Sequence, residues 1–177
     1  MRTPAVLAAA VLLLVAGCDS TTPSFPVPVS EEVVGFLTPV PGAVLTQGFG
    51  CTSFALEPLV PGCPGRHFHS GIDLAKPAGT PVLAAAGGLV TVARFDPNGY
   101  GNYLVLDAGH GLTTLYAHLQ EFDVRLGEPV FKGYPVARVG STGMSTGPHL
   151  HFEVRTDGRP VDPELFLPAA HQRGGSP

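Results

Sequence analysis

In the stretch "GPHLHFEV", residues 147–154, His149 and His151 alternate with Leu150 and Phe152. Successive side chains of a β-strand point to opposite faces, so residues two apart share a side. The two imidazoles share one face and Leu150 and Phe152 fill the other. The segment therefore reads as a strand with an apolar buried face. Neighbouring imidazoles suit a metal ion, or a water that must be held and activated. An isolated His-x-His is equally compatible with two hydrogen-bonded surface histidines, so the rest of the chain has to decide.

Working outward, period-two or continuous apolar patterns recur at 43–49, 88–95, 102–108, 111–119, 135–140 and 149–156. Each is bounded by turn residues. "DPNGYG" (96–101) is a dense turn signal, and "GHG" (109–111) predicts a tight hairpin. No amphipathic pattern reaches three helical turns, though a short helical turn can follow Pro163. The links are too short for βαβ crossovers, which makes the sheet antiparallel. Charged residues are 14% of the chain against 23 glycines and 19 prolines, a balance that favours a β domain rich in turns over a helical bundle. The expected fold class is mainly β: an antiparallel sheet domain with few short helices.

The chain opens with Arg2 and an apolar run over 5–16 that ends at Cys18. The run is shorter than the ~20 residues of a membrane-spanning helix and fits a secretory signal. Val15, Ala16, Gly17 and Cys18 resemble the bacterial lipobox, which implies a signal peptide over 1–17, cleavage before Cys18 and acylation of that cysteine. The Pro/Ser/Thr-rich segment 18–33 reads as an extended tether. A single domain over 34–167 is long enough to bury a core, and 168–177 reads as a flexible tail. The expected location is the cell envelope, on a membrane facing the wall, through the lipid anchor. Loss of 1–17 removes one base and no acid, making the formal net charge of −4 one unit more negative. No basic run points to nucleic acid.

Cys51 and Cys63 bracket "CTSFALEPLVPGC". An exported chain meets oxidising conditions, so these two can form a disulfide worth about 3 kcal/mol by loop closure; two free thiols are the alternative.

Further histidines lie in "HFHSGIDLA" (67–75) and "LYAHL" (115–119). Gly71 and Ile72 argue for extended chain between His69 and Asp73, where an even spacing keeps both side chains on one side. Two imidazoles and a carboxylate form a three-donor set with a fourth tetrahedral position open, the layout of a catalytic zinc site.

Together these motifs resemble the lysostaphin/LytM-type zinc endopeptidases that cut the peptide part of bacterial peptidoglycan. The resemblance spans roughly residues 40–167, through "TQGFG", "FHSGIDLAKPAGTPVLAAAGGLV", "GYGNYLVLDAGHGLTTLYAHL", "VGSTGMSTGPHLHFEV" and "VDPELFL". It implies an open substrate groove on a sandwich or half-barrel of strands. It implies Zn2+ held by His69, Asp73 and His151, with His118 and His149 catalytic beside the metal. His67 and His110 match no ligand position and read as accessory or surface groups. The implied substrate is a peptidoglycan stem or bridge peptide. Non-catalytic readings on the same fold are an amidase activator that works with a protein partner and a wall-binding module. The chain departs from the family pattern after Phe49 and Gly50, where Cys51 and a Pro-containing insertion replace the usual aromatic and arginine. That insertion is expected to form one groove wall.

Overall fold

The computed structural model describes residues 35–168. The signal peptide, Cys18, the tether and nearly all of the tail fall outside them. The main sheet has eight strands. Its path runs β1 (Val44–Gln47), β4 (Ile72–Ala75), β12 (His149–Thr156), β8 (Leu112–Leu119), β7 (Gly101–Gly109), β6 (Gly88–Asp96) and β10 (Pro129–Val130), with β13 (Arg159–Val161) also paired to β12. A second sheet orders β5 (Pro81–Leu83), β11 (Pro135–Arg138) and β9 (Glu121–Phe122), and β2 (Gly50–Thr52) pairs with β3 (His67–His69). Among the described residues every strand pairing is antiparallel. The main sheet does not close on itself, since β1 and β10 remain its ends. This is the antiparallel, mainly β architecture that composition and periodicity predict.

The long strands coincide with the predicted segments to within a few residues. The β7–β8 hairpin turns through Gly109, His110 and Gly111, all at positive φ. A 3-10 turn, Pro163–Leu165, follows Asp162, whose carboxylate accepts from the Glu164 N–H. β2, β5, β9, β10 and β13 lie outside the predicted segments, because two or three residues are too few for an alternation to show.

The core forms between the two sheets. Ile72 and Leu74 of β4, Leu104 and Leu106 of β7, Tyr116 of β8, and Leu150, Phe152 and Val154 of β12 all point the same way, onto Val82, Val136 and Val139. Burying a side chain the size of Phe152 contributes roughly 1.5–3 kcal/mol. On the opposite face the intervening residues of β4 and β12 carry polar groups: Asp73, His149, His151 and Glu153.

β8 breaks its alternation. Tyr116 and Leu119, three apart, both reach the core. Opposite them the β7 register jumps from Asn102↔Leu119 to Leu104↔Tyr116. His118 stands in this irregularity with φ 59°. An extra residue in one strand is left unpaired and re-aims its side chain, and here it places both Ala117 and His118 off the core face.

Candidate metal centre

Strand register brings the polar face together. On adjacent strands His151 lies directly opposite Asp73. Ser70 and Gly71 then turn the chain from β4 into β3, which brings His69 over the same point. A Cβ at Gly71 would lie 2.4 Å from the Phe152 carbonyl oxygen and 3.0 Å from Cε1 of His151. Only glycine permits that approach between β4 and β12.

The three donors form a nearly equilateral triangle. Nε2 of His69 lies 3.0 Å from Nδ1 of His151 and 3.2 Å from Oδ1 of Asp73. The third side, His151 Nδ1 to Asp73 Oδ1, is 3.0 Å. Donors bound at about 2.0–2.1 Å around a tetrahedral ion stand about 3.3 Å from one another. Among the described residues, this is the group of His, Cys, Asp and Glu side chains whose ligand atoms converge closely enough to hold an ion.

The outward-facing nitrogens confirm the direction of the lone pairs. Nδ1–H of His69 donates to the Gly48 carbonyl at 2.9 Å. Nε2–H of His151 donates to Oε1 of Glu153 at 3.0 Å. Each ring therefore turns its other nitrogen inward, toward the Asp73 carboxylate oxygen. Three lone-pair atoms this close repel one another unless a cation lies among them, so the residues fit a divalent metal. Burial alone would raise the Asp73 carboxyl, but its contacts with His151 and His69 outweigh burial and hold it below the ordinary carboxylate range. Burial alone would lower His151, yet the carboxylates of Asp73 and Glu153 raise it to about 9. Without a metal, a proton occupies that position.

Beneath His151, Glu153 is wholly buried and fully used. Its Oε1 also accepts from Ser70 Oγ at 2.6 Å and Tyr100 OH at 2.7 Å, and its Oε2 accepts from Arg155 Nε. Burial opposes its ionisation, but His151 and Arg155 hold the carboxyl at about 2. Burial and the neighbouring Glu153 push the Tyr100 phenol up to about 12, so it remains a donor. The motif-based reading does not include Glu153. Its signal was present, because Glu153 continues the period-two polar series of His149 and His151.

His118 and His149 sit together beside the triangle, with ring centroids 4.8 Å apart. Nδ1–H of His118 donates to the Thr142 carbonyl at 2.9 Å, and Nδ1–H of His149 donates to the Gly147 carbonyl at 2.8 Å. Both keep Nε2 for the groove they line. Nε2 of His149 is 3.7 Å from Oδ1 of Asp73. Burial pushes His118 down to about 4, against the upward pull of the Thr142 carbonyl. It is a neutral base at physiological pH.

A groove of about 750 Å³ opens over these side chains. Phe54, Leu56 and Glu57 line one side, and Tyr100, Met144 and Thr146 the other. The first side is the expected insertion, closed by a Cys51–Cys63 disulfide with Cα atoms 5.3 Å apart. Burial raises the Glu57 carboxyl. His67 is not a bystander, since its Nδ1–H donates to the Glu57 carbonyl. His110 is exposed in the β7–β8 turn, away from the site. Asn102 does not line the groove; its amide donates to the carbonyls of Leu119 and Gln120 and locks the irregular end of β8.

Comparison with known proteins places this geometry in context. The profile of peptidase family M23 matches residues 67–163. A 95-residue stretch is 50% identical to the DD-carboxypeptidase/endopeptidase Mpg of Neisseria meningitidis serogroup B, covering 54% of this chain and 22% of that protein. The chain thus spans about a fifth of the length of that relative. A zinc-containing peptidase from Vibrio cholerae superposes with a TM-score of 0.62 at 39% identity, over 72% of this chain and 39% of that one. The catalytic domain of lysostaphin from Staphylococcus simulans superposes with a TM-score of 0.59 at 33% identity, over 71% of this chain and 92% of that domain.

Proposed function

The chain belongs to peptidase family M23, and from that premise we propose that it is a zinc endopeptidase hydrolysing peptide cross-links or bridges of bacterial peptidoglycan. The observation that carries this reading is the convergence of three donors 3.0–3.2 Å apart beside two further imidazoles, with Asp73, His151, His118 and His149 lining one groove. His69 Nε2, Asp73 Oδ1 and His151 Nδ1 would hold the ion. When bound, the ion acidifies a water and polarises the scissile carbonyl.

The remaining chemistry belongs to the chain. His149 and His118 present Nε2 to the reacting atoms. One, neutral, accepts the proton of the attacking water at Nε2 and delivers it to the leaving amine, while the other, as imidazolium, donates its Nε2–H to the developing oxyanion. The carbonyls of Thr142 and Gly147 accept Nδ1–H from both rings, which leaves Nε2 of each as the atom that exchanges the proton. Glu153 keeps His151 turned inward, and Gly48 does the same for His69. The open groove, walled by loop 51–63, receives an extended peptide.

The apolar run before the lipobox-like Val15, Ala16, Gly17 and Cys18 supports an envelope location on an acyl anchor at Cys18. Cys18→Ala should move the protein from the membrane fraction to the soluble one.

The deciding experiment is digestion of purified peptidoglycan by the zinc-loaded protein. New amine termini should appear, and mass spectrometry of the fragments identifies the bond cut. Folded, zinc-loaded protein that releases no amine from any peptidoglycan chemotype would rule the reading out.

A further inference from the structure

Glu57 is the charged group at the centre to which a three-donor site assigns no task. Its Oε1 lies 3.9 Å from Nε2 of His69, against 3.0–3.2 Å among the three converging donors, so a small rotation of the carboxylate separates it from them. It is held there deliberately. Gln47 Nε2 donates to the same oxygen at 3.2 Å. The His67 imidazole donates to the Glu57 carbonyl. The chain on either side is laced down: Glu57 N–H to the Phe54 carbonyl at 3.1 Å, Phe68 N–H to the Pro58 carbonyl at 3.0 Å, and Val60 N–H to the Arg66 carbonyl at 2.9 Å. The Cys51–Cys63 disulfide closes the whole segment. A glutamate on a surface loop ordinarily extends into water. This one is 18% exposed and directed at a site that already contains a carboxylate. Placing a second carboxylate there is costly unless a dication offsets it.

We propose that Glu57 is a fourth protein donor to the metal, presented by the disulfide-closed loop 51–63 on the groove side of the His69, Asp73 and His151 triangle. The proposal rests on the metal reading above and assigns a task to three features that reading leaves over: the insertion, its disulfide and His67. Because Glu57 and the bound peptide face the ion from the same groove, the carboxylate must swing aside for substrate to enter. Loop 51–63 is then a gate as well as a wall, and the disulfide and the His67 bond set how readily it yields.

The test reads the metal and not the turnover. Full-length protein is stripped of metal. Zn2+ affinity is measured against a chromophoric chelator, and Co2+ loading is followed by visible absorption, which reports donor number and type. Glu57→Ala and Glu57→Gln should each weaken Zn2+ binding by about tenfold or more, with a changed cobalt spectrum and an unchanged far-ultraviolet circular dichroism. The Cys51→Ser/Cys63→Ser double variant should shift both readouts in the same direction by a smaller factor. Asp73→Ala should abolish binding. Wild-type affinity and spectrum in both Glu57 variants, with binding lost in Asp73→Ala, overturns the proposal and leaves the metal centre standing. Undiminished binding in Asp73→Ala overturns the metal reading itself, and this proposal with it.

Discussion

At the scale of single residues, the centre is organised by what each imidazole does with its outer nitrogen. His69 and His151 commit it to Gly48 and Glu153 and turn a lone pair inward. His118 and His149 commit it to Thr142 and Gly147 and keep Nε2 for the groove. The two pairs should separate experimentally. His149→Ala is expected to lower kcat by about 10²–10⁴-fold while Zn2+ stoichiometry stays at one, as read by metal analysis of the same sample. His151→Ala should lose both. His118 supplies a pH signature of its own. Burial depresses its folded-state value to about 4, below the 6.5 of an ordinary histidine. The unfolded chain therefore takes up the proton first, and stability present above pH 6.5 is lost as pH falls toward 4. Between pH 7 and pH 5 the metal-free protein should lose about 2 kcal/mol from this residue. Denaturant titrations at the two pH values should show the wild type losing more stability than His118→Ala by about that amount. Glu153, held at about 2, contributes only below pH 4.5, whereas His151, raised to about 9, and Glu57, raised by burial, stabilise the folded state as pH falls and partly offset the loss in both proteins.

At the scale of elements, the centre is a consequence of how closely β4 and β12 can lie. Gly71→Ala places a methyl group 2.4 Å from the Phe152 carbonyl. The strands must part, so the variant should weaken Zn2+ binding by at least an order of magnitude in chelator competition, more than its cost in thermal stability would suggest. Much of this level is legible in the sequence. β12 reads directly from the alternation of His149 and His151 with Leu150 and Phe152, and β4 from the even spacing of His69 and Asp73 across Gly71. β8 does not read correctly by alternation alone. Continuing the period from Tyr116 would put His118 in the core, and it is the irregular pairing with β7, at φ 59°, that turns its ring to the groove. Such a bulge depends on the partner strand and leaves no local pattern.

At the scale of the whole molecule, the three converging donors lie up to 82 positions apart, so an ion held among them would cross-link distant parts of the sheet. Zn2+ at a hundred times its dissociation constant should add about 2.7 kcal/mol, a rise in Tm on the order of 10 °C for a domain of this size. A chelator should reverse the rise, and Asp73→Ala should not show it in differential scanning calorimetry. What the chain determined by itself was the long strands, the face most of their side chains take, and which residues are candidates to bear chemistry. These follow from periodicity and residue type, which are local. What only the tertiary structure decided was the turning of His118 out of the core, the burial of Glu153 as the hub under His151, and the folding of loop 51–63 so that Glu57 faces His69. Each of these depends on register and packing between segments far apart in sequence, where the free energy of pairing overrides any local pattern.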